Sequence, residues 1–133
     1  SFSYVADHHP VVVDEPLALF GQNTAPAPGE VVLSALGGCL GVGITAVATL
    51  RQVRLSKLEL MLEGDIGNPA AWGAGGAEML PPQMGFQEIR VKVIIEGDAS
   101  REQLDEIVKH ANFYSPVANS MRNPIAFSIA LAE

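Results

Sequence analysis

Apolar residues along the chain fall into short runs, one long uncharged run, and stretches of strand or helical period. Phe2-Ser-Tyr4-Val5 and Val11-Val12-Val13 are short β-like runs on either side of His8-His9-Pro10, and Asp14-Glu15-Pro16 follows them. They predict a strand or hairpin. The Gly- and Pro-bearing stretch 21–28 then reads as a loop that stops at a helix. Residues 31–50, VVLSALGGCLGVGITAVATL, hold no charged side chain and predict a long helix that is apolar on every side. Leu58, Leu60 and Leu62 alternate with Lys57, Glu59 and Glu63, and residues 86–95 alternate in the same way. Two amphipathic strands of this kind, joined by a long Gly/Pro-rich loop (67–85), predict an antiparallel pair with one solvated face. Ser100 and Gln103 have capping-box spacing ahead of a helical face of Leu104, Ile107, Val108 and Ala111. A short helix is predicted from Ser115-Pro116 to Asn123-Pro124, and 125–132 (IAFSIALA) reads as a closing strand. The predicted architecture is α+β, in a single domain over 1–133 without internal repeats.

The apolar run is long enough to span a membrane. It is poor in Leu, Ile and Phe, carries four glycines and has no Trp or Tyr at either end, so a buried core helix is the expected reading. A small domain has difficulty covering every side of a ~30 Å helix. A second copy of the chain would supply the missing cover, with Gly37, Gly41 and Gly43 permitting close approach, and a homodimer is expected.

Eight Lys and Arg against fifteen Asp and Glu give a net charge of −7, which argues against nucleic acid and anionic membrane surfaces as partners. The 133 residues are 48% hydrophobic with a mean hydropathy of +0.24, enough to bury a core without metal or disulfide staples. Cys39 is the single cysteine, so neither an intrachain disulfide nor a Cys-rich zinc site is available, and a reducing, cytoplasmic setting is expected. The N-terminal stretch lacks the cationic start and apolar core of a signal peptide.

Few residues stand out as candidates for chemistry. Cys39 lies in the middle of the apolar helix, almost three turns beyond a start near Gly29 and outside the reach of the helix dipole. No Lys or Arg occurs in the first fifty residues, and Arg51 and Arg54 lie roughly 18 Å or more further along the helix. A lone buried Cys is ordinarily a small hydrophobe; a reactive one needs a cation from another segment, from His8 or His9, or from a partner chain. His8 and His9, with Asp7 and Asp14 nearby, point to opposite faces of a strand and do not make a metal site. His110 is expected on the exposed side of its helix. Gly73-Ala-Gly75-Gly76 lacks the Lys-Ser/Thr of a phosphate loop and opens no helix. No metal and no cofactor are expected.

PGEVVLSALGGCL (28–40) at the start of a long helix, the strands LELMLEGDI and GFQEIRVKVIIEGDAS, the helix ending at Tyr114, and SPVANSMRNPI (115–125) follow one another in a characteristic order. In that order and spacing, over nearly all 133 residues, the chain resembles the OsmC/Ohr family of thiol-dependent hydroperoxide reductases, and DEP (14–16) resembles one OsmC-like branch. The resemblance implies an antiparallel sheet packed around a long apolar central helix, in an intertwined homodimer with two crossing helices. It places the peroxidatic cysteine at Cys39, whose thiolate attacks a peroxide O–O bond and becomes a sulfenic acid. The family's supporting Glu falls at Gly29 or Glu30, of which Glu30 carries the carboxylate. Ser115 stands where the family has its second Cys, so a two-Cys cycle is closed to this chain. The family's N-terminal Arg has no counterpart, and His9 is its nearest substitute by position. Two functional expectations result: a one-Cys hydroperoxide reductase that uses an external thiol, or a non-enzymatic dimer that binds a small apolar ligand around Cys39 or serves a stress role.

Overall fold

The computed structural model describes residues 2–6, 9–67 and 84–132. Its elements are β1 (Phe2–Ala6), β2 (His9–Val13), a 3-10 turn (Leu17–Leu19), α1 (Pro28–Leu50), β3 (Leu55–Ile66), β4 (Phe86–Gly97), α2 (Arg101–Tyr114) and α3 (Pro116–Arg122). The expected hairpin is present as an antiparallel β1–β2 pair, in register from Phe2 opposite Val13 to Ala6 opposite His9. β3 pairs with β4. Backbone hydrogen bonds from Gly67 N–H to the Gly85 carbonyl and from Asp98 N–H to the Arg54 carbonyl, each 3.0 Å, mark the two ends of an antiparallel ladder. Along β3, Leu58, Leu60, Leu62 and Gly64 are half-buried and Glu59, Met61, Glu63 and Asp65 exposed, the alternation the sequence predicts.

The chain falls into two compact units, interleaved along the sequence: Ser1–Ala35 with Leu60–Lys92, and Leu36–Glu59 with Val93–Glu133. The second unit contains an apolar core of Ile44, Ala48, Ile95, Leu104, Ile107 and Ala111, with Val47, Leu55, Val93 and Val108 packed against it. α1 offers Leu36, Leu40, Ile44 and Ala48, one residue every fourth position, and α2 offers Leu104, Ile107 and Ala111. Each helix end has a local cause. Ser100 and Gln103 form the expected capping box on α2, and Ser115 with Pro116 opens α3. The end of α1 closes on bonds from Gln52 N–H to the Thr49 carbonyl and from Val53 N–H to the Ala48 carbonyl, with Gln52 at φ 58°. That pattern is a Schellman turn whose left-handed position, usually glycine, is occupied by glutamine.

The first unit is organised differently. Val13 is its one fully buried apolar residue among those described, and beside it Asp14 is also buried. The Asp14 carboxylate accepts from the backbone N–H groups of Glu15, Gln22 and Thr24 and from the Thr24 hydroxyl at 2.7–3.2 Å. The Thr24 hydroxyl, followed by the backbone donors, holds this carboxyl well below the usual carboxylate range. Gly21 completes the knot, because a Cβ there would lie 1.9 Å from the Glu15 carbonyl oxygen.

One expectation changes. Residues 124–132 carry no helix or strand, and Ile125, Phe127, Ile129 and Leu131 are exposed. A strand exists through the ladder it joins, and alternation cannot supply the partner backbone. Among the described residues, α1 buries a single stripe and leaves Val42 73% exposed, so the apolar side that a second copy is expected to cover is bare. By length and composition alone this helix is long and apolar enough to cross a membrane. Of the 67–85 loop, Trp72, Met79 and Leu80 lie outside the described residues.

Candidate functional site

Cys39 lies on α1 at the edge of its buried stripe, between Leu36 and Leu40, and is half-buried with a free thiol. One helical turn further, at Gly43, α1 comes close to α2: a Cβ added there would lie 3.3 Å from the Ala111 Cβ. The small residues at 43 and 111 thus set how closely the two helices approach. One turn back from Gly43 is Cys39, and four residues on from Ala111 is Ser115. The antiparallel register therefore brings the two together, and the Ser115 hydroxyl donates to the Cys39 sulfur at 3.0 Å.

Ser115 is only 3% exposed and sits at the junction of two helices, as C-cap of α2 and N-cap of α3. Its Oγ accepts from Ala118 N–H at 3.1 Å. Its carbonyl accepts from the backbone N–H of Asn119 at 2.9 Å and from the Asn119 side-chain amide at 2.8 Å. The same amide donates to the Phe113 carbonyl, and the Arg122 guanidinium donates to the Asn112 carbonyl and side chain. Cys39 thus faces a hydroxyl whose backbone is pinned on both sides, a setting that can orient a sulfur atom.

The other expected site residues belong to the first unit. Glu30 is exposed in the first turn of α1, where its Oε1 accepts from Ala27 N–H at 3.1 Å. Ala27 is the residue just before the helix, so this contact is one half of a capping box, and Pro28 fills the first helical position. His9 is exposed on β2, and the His8 side chain lies outside the described residues. Among the described cations, Arg90 is engaged by Asp65, Glu63 and Glu88, and Arg51 by Glu106. No group of three or more His, Cys, Asp or Glu side chains suited to a metal ion occurs among the described residues. His110 is exposed, as expected, and its ring lies 4.7 Å from that of Tyr114. An open hollow of about 650 Å³ in the second unit is lined by Thr45, Thr49, Gln52, Arg54, Ser56 and Lys57 among others, and Cys39 does not line it.

The sequence indicated Ser115 twice, as a helix cap and as the position of a second thiol, but not its contact with sulfur. The signal was present in the matched spacings 39–43 and 111–115, which gain meaning only once Gly43 and Ala111 are known to face each other.

A family model described as OsmC-like protein matches residues 21–130, which include α1 with Cys39, both long strands and both C-terminal helices. The chain belongs to the OsmC-like family. Solved structures of the same fold include an OsmC-like protein from Mycoplasma pneumoniae, at TM-score 0.70 and 18% identity over 90% of this chain and 77% of that one. An organic hydroperoxide resistance protein OsmC from Legionella pneumophila matches at TM-score 0.63 and 18% identity, covering 86% of this chain and 75% of that one. A Vibrio cholerae protein described as an organic hydroperoxide resistance protein, with captopril bound in one of its active sites, matches at TM-score 0.60 and 21% identity over 86% and 71%. No curated protein matches the chain. At these identities the structural likeness establishes the OsmC-like fold.

Proposed function

We propose that this OsmC-like protein is a one-Cys, thiol-dependent hydroperoxide reductase with Cys39 as its peroxidatic residue. The Cys39 thiolate attacks the outer oxygen of an organic hydroperoxide, the O–O bond breaks, and the alcohol leaves with a proton from solvent. Sulfur is oxidised by two electrons to a sulfenic acid. An external small thiol condenses with it, releasing water and forming a mixed disulfide, and a second thiol displaces Cys39 as a thiol. No cofactor enters the cycle. The observation that carries this reading is the buried Ser115 hydroxyl directed at the Cys39 sulfur, in a family whose structural neighbours include organic hydroperoxide resistance proteins. A second copy of the chain covers the bare apolar side of α1, a reading supported by the exposure of Val42 and Leu50. The setting is cytoplasmic, where small thiols are abundant.

Mass-spectrometric titration of the thiol with cumene hydroperoxide and with hydrogen peroxide, with and without a dithiol, tests this reading. One oxygen added per Cys39, removed by the dithiol and absent in Cys39→Ser, is the expected result. A thiol untouched by millimolar peroxide under native conditions overturns it and leaves the non-enzymatic dimer with a small apolar ligand around Cys39.

A further inference from the structure

The Ser115 hydroxyl has one proton and two lone pairs. Ala118 N–H, fixed by the first turn of α3, occupies a lone pair at 3.1 Å, and the Cys39 sulfur lies 3.0 Å away on the donor side. Because Ser115 is 3% exposed, bulk water offers its proton little alternative. A hydroxyl donor interacts more strongly with an anionic sulfur or sulfenate than with a neutral thiol.

We propose that Ser115 is a positioning residue for Cys39: held by the Ala118 amide, it aims its proton at the sulfur, orients it for attack and then steadies the sulfenic acid. This deepens the peroxidase reading and rests on it for the second role. Oxygen cannot form the sulfur–sulfur bond that a second cysteine would, so the side chain that orients Cys39 leaves its oxidised form intact for the external thiol. The oxidised enzyme therefore accumulates as a sulfenic acid when no thiol is present.

The test compares wild type with Ser115→Ala, Ser115→Thr and Ser115→Gly, with folding checked by circular dichroism. Iodoacetamide alkylation of Cys39 at pH 7 reads orientation without peroxide. Dimedone capture after one equivalent of cumene hydroperoxide reads the sulfenic acid. Loss of a hydrogen bond to a charged group predicts alkylation about tenfold slower in Ser115→Ala, with Ser115→Thr restoring the rate to within about twofold. Glycine is tolerated at a helix N-cap almost as well as serine, so Ser115→Gly keeps α3 while it removes the proton and adds no charge, and it is expected to alkylate about as slowly as Ser115→Ala. That variant also decides the matter should Ser115→Ala lose its fold. Wild-type alkylation rates in folded Ser115→Ala or Ser115→Gly overturn the positioning role. Slow alkylation in these variants, with wild-type Cys39 inert to peroxide, keeps that role and removes the peroxidase reading. Dimedone yields equal in wild type and Ser115→Ala overturn the sulfenic acid role.

Discussion

Among the described residues each of the two units buries one polar side chain, and the two do opposite work. Asp14 in the first unit gathers three backbone N–H groups and a hydroxyl onto one carboxylate, and the loop from 14 to 26 takes its shape from those bonds. Ser115 in the second unit sits among helices already packed by apolar side chains, and its hydroxyl proton is directed at a sulfur. Nine of the ten buried apolar residues described belong to the second unit. A carboxylate hub serves structure where apolar packing is sparse. Where packing already fixes the backbone, a buried hydroxyl is free to serve chemistry.

The largest effect expected from breaking that contrast lies in the second unit's core. Ile107 is 1% exposed, between α1 and β4 side chains that include Ile44 and Ile95. Ile107→Ala removes three buried carbons and leaves a cavity, and a loss of about 2–5 kcal/mol in denaturant unfolding is expected. The variant also loosens the packing behind the Gly43–Ala111 approach, so Cys39 alkylation should change with stability. A loss below about 1 kcal/mol would show that this core does not hold the helices in register.

The difference between the units also explains what was legible in the sequence. Helical and strand periods report apolar packing, and α2, β3 and β4 are legible from them, while α3 is legible from its Ser115-Pro116 start and Asn123-Pro124 stop. The Schellman turn that closes α1 is less legible, because glutamine, not glycine, holds its left-handed position at 52. The Asp14 hub left no periodic signal: its partners lie one, eight and ten residues away in a loop, and only the folded chain brings them together. The alternation in 125–132 was real but says nothing about whether a neighbouring strand exists. At the candidate site, Cys39 and Ser115 were both identified, while their contact depends on a helix register that no local pattern encodes. The exposed Glu30 carboxylate makes a capping contact with Ala27 N–H at the start of α1.

An intermediate effect is expected from Asp14→Asn, and it should depend on pH. The folded-state pKa of Asp14 is depressed, with the Thr24 hydroxyl as the leading cause. A depressed carboxyl stabilises the fold above the unfolded-state value of about 3.9, and that stability is lost as pH falls through the folded value. An amide nitrogen at Oδ2 would meet two backbone donors, from Gln22 and Thr24, and at Oδ1 the donor of Glu15. The thermal midpoint of Asp14→Asn should therefore lie several degrees below that of wild type at pH 7. The gap should narrow steadily as pH falls below about 4. A gap unchanged down to about pH 2 would mean that the carboxylate charge is not what holds the loop.

The smallest effect is expected where the second unit uses charge instead of packing. Arg51, just past the end of α1, meets Glu106 of α2 at 3.0 Å, with side chains 35% and 67% exposed. Both ends remain in contact with water, so the pair gains little Coulomb energy and loses side-chain entropy, and such pairs contribute about 0–1 kcal/mol. Arg51→Ala should shift the denaturation midpoint within that range, and the shift should shrink further in high salt. Ile107→Ala, on the same pair of helices, should be insensitive to salt. If Arg51→Ala instead costs as much as Ile107→Ala, α1 and α2 are held by charge at their ends, and the Gly43–Ala111 contact loses its place as the feature that sets Cys39 against Ser115.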